Sequence, residues 1–345
     1  MKPDPSIVID EPQIKLFRKS KPQNIEPTGE ILEDKTARGR VRPWEKKRVG
    51  SEMVSEALSQ MPGHERLSER CENCATVLIF AECENEHRRL RSANFCEVRV
   101  CPQCGWRRSL KLSVAVVHTI SHAYDQDQKL RFAYLVFTQK NVDGKNLGDE
   151  LTKITKAWSK LRKRKEFGIV KGWIRTIEIT YNAKDRTWHP HLNVIVAVPG
   201  GYFSGREYVK QARWRELWQE VMGLDYLPNV YVKAVKMVPS EGGEAPSPKS
   251  ALELAKYCVK DSDLIGKTVK ETRERLEILV PALHHKRLID SAGCLKMSKD
   301  PEAGDLVHIE GEDTLEKHVK TCPTCSTPLA DHLFRWIGSA KRYVG

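Results

Sequence analysis

The sequence predicts an α+β protein: an antiparallel sheet flanked by helices, preceded by a cysteine-rich module. Three observations carry this. Alternating, β-branched stretches recur around residues 132, 174, 189 and 230, with helix-patterned segments between them. Of ten cysteines, six crowd between Cys71 and Cys104. At 345 residues the chain is long enough for two modules with a sizeable core.

Residues 1–65 are rich in Pro, Lys, Glu and Arg with little hydrophobic periodicity, and are expected to form a basic, mostly disordered arm. Within it, Pro43-Trp44-Glu45-Lys46-Lys47-Arg48 combines aromatic and basic groups suited to a phosphate backbone. Residues 66–108 form the cysteine module. Its C-x-x-C pairs, 71/74 and 101/104, bracket an apolar, hairpin-like stretch at Val77-Leu78-Ile79-Phe80. In a cytosolic chain such cysteines point to metal rather than disulfides, and four thiolates would hold one structural Zn²⁺. Cys71, Cys74, Cys83, Cys96, Cys101 and Cys104 compete for the four places. Arg107, Arg108 and Lys111 follow directly and are candidates to meet phosphates.

Residues 109–265 read as the main domain. Ser109 to Tyr124 is expected as a helix and Arg131 to Thr138 as a buried strand. Leu151 to Lys165 is expected as an amphipathic helix whose Lys160, Arg162, Lys163 and Arg164 would face a DNA backbone. Trp173–Tyr181 and Thr187–Val198 are strands joined by the turn-like 182–186 segment. His189 and His191, two apart, leave the second strand on one face. Pro190 points the other way and, having no N–H, favours an edge or strand-start position. A hairpin centred on Lys184-Asp185 sets Glu178 opposite His191, whereas a one-residue slip would turn it away. Two imidazoles and a carboxylate suit Mg²⁺ or Mn²⁺, with positions left for substrate oxygens. A tryptophan-bearing helix from Gly205 to Met222, a strand from Asn229 to Val238 and a connector at 241–248 follow. Ser250 to Lys260 reads as a helix N-capped by Ser250, with Glu253, Tyr257 and Lys260 on one face. A phenol whose phenolate is favoured by a nearby cation can attack phosphorus.

Taken in order, the strand Leu135-Val136-Phe137-Thr138, then Glu178, His189-Pro190-His191 and Glu253-x-x-x-Tyr257-x-x-Lys260 resemble the replication initiator (Rep) proteins of small rolling-circle plasmids, in the HUH endonuclease superfamily. The resemblance runs from about Cys74 to Lys260. It implies a ferredoxin- or RRM-like sheet with the metal site on its open face and the tyrosine helix lying across it. It also implies origin-specific DNA nicking and rejoining, with Tyr257 as nucleophile, Lys260 beside it and Glu253 ending the cycle. Phe95-Cys96-x-x-Arg99-x-Cys101-Pro102-x-Cys104-x-Trp106-Arg107-Arg108 matches the family pattern, implying Cys74, Cys96, Cys101 and Cys104 as zinc ligands with Cys71 as the alternative. Where many relatives carry a third histidine this chain has Asn193, which is taken to support the site rather than bind its metal.

The formal net charge of +12 favours a polyanionic partner, nucleic acid or an acidic membrane surface, and the resemblance implies plasmid DNA. No run reaches a membrane-spanning length and Met1-Lys2-Pro3-Asp4 starts no signal peptide, so a cytoplasmic location without membrane partners is expected. In the C-terminal extension, 266–345, Gly266-Lys267-Thr268 lacks the earlier glycine of a phosphate loop, because position 261 is aspartate. An NTPase site is therefore rejected, and a host helicase and DNA polymerase must act in trans. His318, Cys322, Cys325 and His332 are candidates for a second zinc site, and 335–337 with 341–343 for a terminal basic strand. Two alternatives compete: an HUH transposase or mobilisation relaxase, and a non-catalytic, zinc-containing nucleic-acid-binding regulator.

Overall fold

The computed structural model describes residues 29–36, 39–240, 243–247, 259–297, 306–307 and 319–345. Its first element, helix α1 (Trp44–Ser59), replaces part of the expected disordered arm. Small and polar residues, among them Gly50, Ser51, Ser55 and Ala57, make up much of the buried face. That face is why no apolar stripe shows in the sequence. It fits closely against helix α2 (Glu65–Glu72), where the Ser55 and Ser68 hydroxyls each donate to the other's carbonyl at 2.8 Å. Trp44, expected at a phosphate backbone, is instead only 2% exposed. Its indole donates to Asp34 Oδ2 at 2.6 Å, stacks on Phe95 and meets Trp106 edge-on at 4.8 Å. Strands β1 (Val77–Glu82) and β2 (Arg88–Ala93) form the hairpin legible at Val77–Phe80.

Helix α3 (Pro102–Gln126) starts seven residues before the expected Ser109, with Cys101 at its N-cap and Pro102 in its first turn. Proline there costs nothing, since the first N–H groups of a helix have no partner within it. After β3 (Arg131–Phe137) comes α4 (Leu147–Leu161), which buries Leu147, Leu151, Ile154, Trp158 and Leu161 along one stripe. It stops short of the expected Lys165, so Arg162 to Arg164 lie beyond its end.

Strands β4 (Gly172–Asn182) and β5 (Thr187–Val198) follow, then α5 (Gln211–Met222) and β6 (Val230–Ala234). The small hairpin β7 (Met237–Ser240) and β8 (Gly243–Pro246) divides what reads in sequence as one strand. Beyond it lie α6 (Asp261–Leu264), α7 (Val269–Leu283) and β9 (Ile289–Gly293). The main sheet is antiparallel, in the order β6-β3-β5-β4-β9, with α4 packed on β5 and on α5. This is the expected mixed α+β architecture of antiparallel sheets flanked by helices.

Strand β5 lies in the centre of this sheet, yet carries Pro190. The proline is tolerated because β3 pairs with β5 only from Leu192 onward. On that side Trp188 bonds Val142 in both directions at 2.8 Å, so the side where residue 190 would donate falls in a gap. The Gln139 side chain enters the gap and donates to the Pro190 carbonyl.

The chain ends by returning to its start. Strand β10 (Ala330–Ile337) pairs antiparallel with β1, and β11 (Arg342–Val344) with β10, giving a second sheet ordered β11-β10-β1-β2. The expected terminal basic strand is thus present, and the 266–345 extension divides between two sheets, β9 in one and β10–β11 in the other. No described helix is long and apolar enough to cross a membrane. Because Trp44 is a buried anchor, Trp44→Ala should destabilise the protein by about 3–5 kcal/mol in urea unfolding followed by circular dichroism. An unchanged midpoint would return α1 to the status of an arm.

Candidate active site and cysteine cluster

The β4–β5 turn fixes the register on which the site depends. Asn182 Oδ1 accepts from Lys184 N–H at 3.0 Å, its amide donates to Asp185 at 2.9 Å, and Arg186 takes a φ of 53°. The resulting register pairs Glu178 with His191 and Thr180 with His189. Side chains of opposed residues share a face, so Glu178, His189 and His191 project together. His191 Nε2 lies 3.0 Å from Glu178 Oε2, and the imidazole centroids are 5.6 Å apart. Asn193 is 1% exposed; its amide donates to the same carboxylate oxygen at 3.3 Å and its carbonyl accepts from the Tyr134 hydroxyl at 2.8 Å. It thus links the Glu178 carboxylate to Tyr134.

Past β9, the outer edge of β4 is taken up by a different segment. After a last bond from Ile177 N–H to the carbonyl of Leu288, the residue before β9, at 2.9 Å, Ile179 bridges Val259 in parallel and Tyr181 N–H donates to Asp263 Oδ1 at 3.0 Å. Lys260 is thereby delivered to Glu178, with Nζ 2.7 Å from Oε1. This corrects the expected helix at its C-terminal end. Val259 is in a β-bridge and Lys260 is extended (φ −77°, ψ 156°), because the exposed β4 edge draws the backbone into pairing. Glu253 and Tyr257 lie outside the described residues.

Burial pushes the Glu178 carboxyl up, but the His191 and Lys260 contacts outweigh it and hold the group at about 2. Burial, then the neighbouring His191, holds His189 below its usual value, keeping a lone pair available at neutral pH. As donors, two imidazoles and a carboxylate fit a divalent cation, and 3.0 Å is about the spacing of adjacent ligands in an octahedral site with bonds near 2.1 Å. This trio is more open than the cysteine groups, which among the described residues are the ones whose ligand atoms all lie within 4.8 Å of one another.

One such group is Cys74, Cys96, Cys101 and Cys104, all buried. Cys74 and Cys104 sulfurs are 3.5 Å apart and those of Cys96 and Cys104 3.6 Å, near the ~3.8 Å edge of a tetrahedral zinc–thiolate site. Glu97, at φ 57°, turns the chain so that its N–H donates to Cys104 Sγ at 3.2 Å, and Cys96 N–H donates to Cys74 Sγ at 3.4 Å. Cys71, the alternative, adjoins Cys101 and Cys96 but stands outside the tight group. Burial pushes the Cys101 thiol up, yet hydrogen bonds from Cys104 and the other cysteines hold it well below its ordinary value; contacts with Cys101 and Cys104 push Cys74 well above. Thiols so crowded ionise together only around a cation, which makes this a metal-binding arrangement consistent with structural zinc.

The remaining group joins Cys83 and His87 to Cys322 and Cys325. His332, one of the expected partners of Cys322 and Cys325, is not in it, because β10 carries that residue opposite Phe80; His318 lies outside the described residues. Only the Cys83-x-x-x-His87 spacing could have signalled the two missed members.

The basic residues divide. Arg107 and Arg108 are 1% and 7% exposed and do not face a phosphate. Arg107 sits against the rings of Trp44, Phe95 and Trp106 and donates to the Leu306 and Val307 carbonyls; Arg108 donates to those of Glu97 and Val98. Lys160, Arg162, Lys163 and Arg164 are exposed, Arg162 over Trp173 and Arg164 paired with Glu220 at 3.2 Å.

The Glu178 carboxyl, at about 2 against an ordinary 4.5, stabilises the fold fully above pH 4.5, and this contribution fades as pH falls toward 2. Glu178→Gln should therefore cost about 2–3 kcal/mol at pH 7, with the gap to wild type closing between those pH values in urea titrations. A gap independent of pH contradicts the pairing.

Comparison with known proteins gives one consistent assignment. A family model described as "Replication protein", Rep_1, matches residues 87–344. A protein named "Protein rep" from Bacillus amyloliquefaciens is 35% identical over 308 residues, covering 82% of this chain and 90% of its own. Another of that name from Lactiplantibacillus plantarum is 36% identical over 300 residues, covering 84% and 93%. A third, from Streptococcus pneumoniae serotype 2, is 32% identical over 300 residues, covering 84% and 91%. No solved structure matches. With its α+β sheets, its cysteine groups and a family match over most of its length, the chain belongs to the Rep_1 family of replication proteins.

Proposed function

We propose that this protein is a rolling-circle plasmid replication initiator of the HUH endonuclease type, nicking and rejoining one DNA strand at the origin through a 5′-phosphotyrosine. The observation that supports this most is the Glu178 carboxylate, held at 3.0 Å from His191 and 2.7 Å from Lys260 on the face that also carries His189. No packing need explains a carboxylate buried against an imidazole and an ammonium, with a second imidazole on the same face; a site handling phosphate does.

His189, His191 and Glu178 would hold Mg²⁺ or Mn²⁺, which when bound polarises a phosphate and stabilises charge developing on its oxygens. The chain's own residues account for the rest. Val259, whose backbone bridges Ile179, is two residues from Tyr257. Tyr257 oxygen attacks the scissile phosphorus, losing its proton; the bond from phosphorus to the 3′ oxygen breaks, and that oxygen takes a proton. The products are a 5′-phosphotyrosine and a free 3′-OH that primes synthesis. Lys260 favours the phenolate, and Glu253 activates water or the new 3′-OH for the closing cleavage. The nick site is presented as single strand or hairpin, since stacked duplex hides the phosphate geometry required. The cysteine module and the exposed basic face of α4 are the proposed origin contacts. Unwinding and synthesis fall to a helicase and polymerase acting in trans.

Incubation with Mn²⁺ and a single-stranded origin oligonucleotide should give a covalent adduct that EDTA prevents and Tyr257→Phe abolishes, with His191→Ala slowing cleavage at least about 100-fold. Origin binding without any adduct from wild-type protein would favour the non-catalytic regulator. Lys156→Ala/Lys160→Ala/Lys163→Ala should weaken origin binding and lower the salt slope by about 2–3, at about 0.7–0.9 per phosphate contact. An unchanged slope would remove α4 and the turn that follows it from the interface.

A further inference from the structure

The group formed by Cys83, His87, Cys322 and Cys325 has no part in nicking, and its ligands come from two turns more than two hundred residues apart. One is the β1–β2 turn, where Glu86, at φ 60°, donates its N–H to the Cys83 carbonyl at 2.9 Å. The other is the Cys322-Pro323-Thr324-Cys325 loop, closed by the Thr321–Pro328 bridge. In it Ser326, also at φ 60°, donates its N–H to the Cys322 carbonyl at 2.7 Å. Cys83 Sγ lies 3.5 Å from His87 Nδ1 and 3.6 Å from Cys325 Sγ, and Cys322 Sγ lies 3.6 Å from the same imidazole nitrogen. These separations are far longer than the ~2.05 Å of a disulfide and near the ~3.5–3.8 Å edges of a tetrahedral site with three sulfurs and one nitrogen around zinc.

We propose that Cys83, His87, Cys322 and Cys325 bind a second zinc ion, which clasps the C-terminal strands onto the β1–β2 hairpin. Three thiolates and one imidazole select zinc over the hard cations suited to the β4–β5 site. The surroundings suit the net negative charge of such a centre. The Thr327 hydroxyl reaches Cys325 Sγ at 3.0 Å, and Arg89 on β2 donates to Thr324 Oγ1 at 3.0 Å. The clasp lies beside the pairing of β10 with β1, where Phe334 packs edge-on against Phe80 at 5.9 Å. Strand pairing across so long a loop carries a large closure entropy, and a metal crosslink at its edge offsets part of it. Loss of the ion releases β10 and β11 and uncovers Phe80 and Phe334, so the cysteine module and the end of the chain fold as one metal-dependent unit.

This inference stands apart from the nicking reading. The full chain, purified in thiol reductant and analysed for metal by mass spectrometry, should carry two zinc ions. Cys322→Ser/Cys325→Ser should carry one, with amide exchange across 330–337 at least tenfold faster. His87→Cys, which keeps four donors, guards against misfolding of the serine variant. It should retain two zinc ions, and its cobalt form should gain thiolate-to-cobalt absorption. One zinc ion in the wild-type chain, or two in Cys322→Ser/Cys325→Ser, overturns the proposal.

Discussion

A carboxylate withdrawn from water into a β-sheet must be met by positive charge or give up its own. Glu178, 5% exposed, is where this chain concentrates that demand. The answer comes from three directions: His191 across the β4–β5 ladder, Asn193 one pleat along, and Lys260 from a segment that joins the sheet only at its edge. Each depends on backbone arrangement elsewhere. The Asn182–Arg186 turn sets the ladder, the gap beyond β3 admits Pro190, and the short reach of β9 leaves the β4 edge open for Val259. Were β9 longer, Lys260 would have no route to the carboxylate.

The second sheet solves a different problem. A two-stranded hairpin such as β1–β2 is marginal alone, and here it gains a cysteine cluster at one end and the chain's own terminus along one edge. Arg107 ties the arrangement together from within. Its guanidinium lies among Trp44, Phe95 and Trp106 and grips the Leu306 and Val307 carbonyls, on the stretch between the main sheet and β10. A residue that reads as a phosphate ligand is thus an internal brace.

Much of the site was legible because period-two alternation and one turn determine a hairpin. Glu178 opposite His191 follows from counting outward from Lys184-Asp185, and the structure has that register. For the cysteines, C-x-x-C spacing made only the Cys101/Cys104 pair legible; the places of Cys74 and Cys96 came from the family resemblance, and Cys71 of the 71/74 pair stands outside the tight group. What was illegible lies where local pattern and tertiary demand part. Helix α1 hides behind serines and glycine, because close packing on α2 selects small residues rather than an apolar stripe. Lys260 continues a strong helical pattern, yet a free strand edge overrides that propensity. Cys83 and His87 could not be matched to Cys322 and Cys325, because nothing in sequence announces that β10 returns to β1.

We propose that Glu178, His189 and His191 form one cation site. Electron spin-echo spectroscopy of the Mn²⁺-loaded protein tests it most directly. The expected result is one bound Mn²⁺ coupled to two imidazole nitrogens, losing one coupling in His189→Ala and losing the bound ion in Glu178→Gln. Manganese bound without nitrogen coupling, or bound equally well by Glu178→Gln, would contradict it.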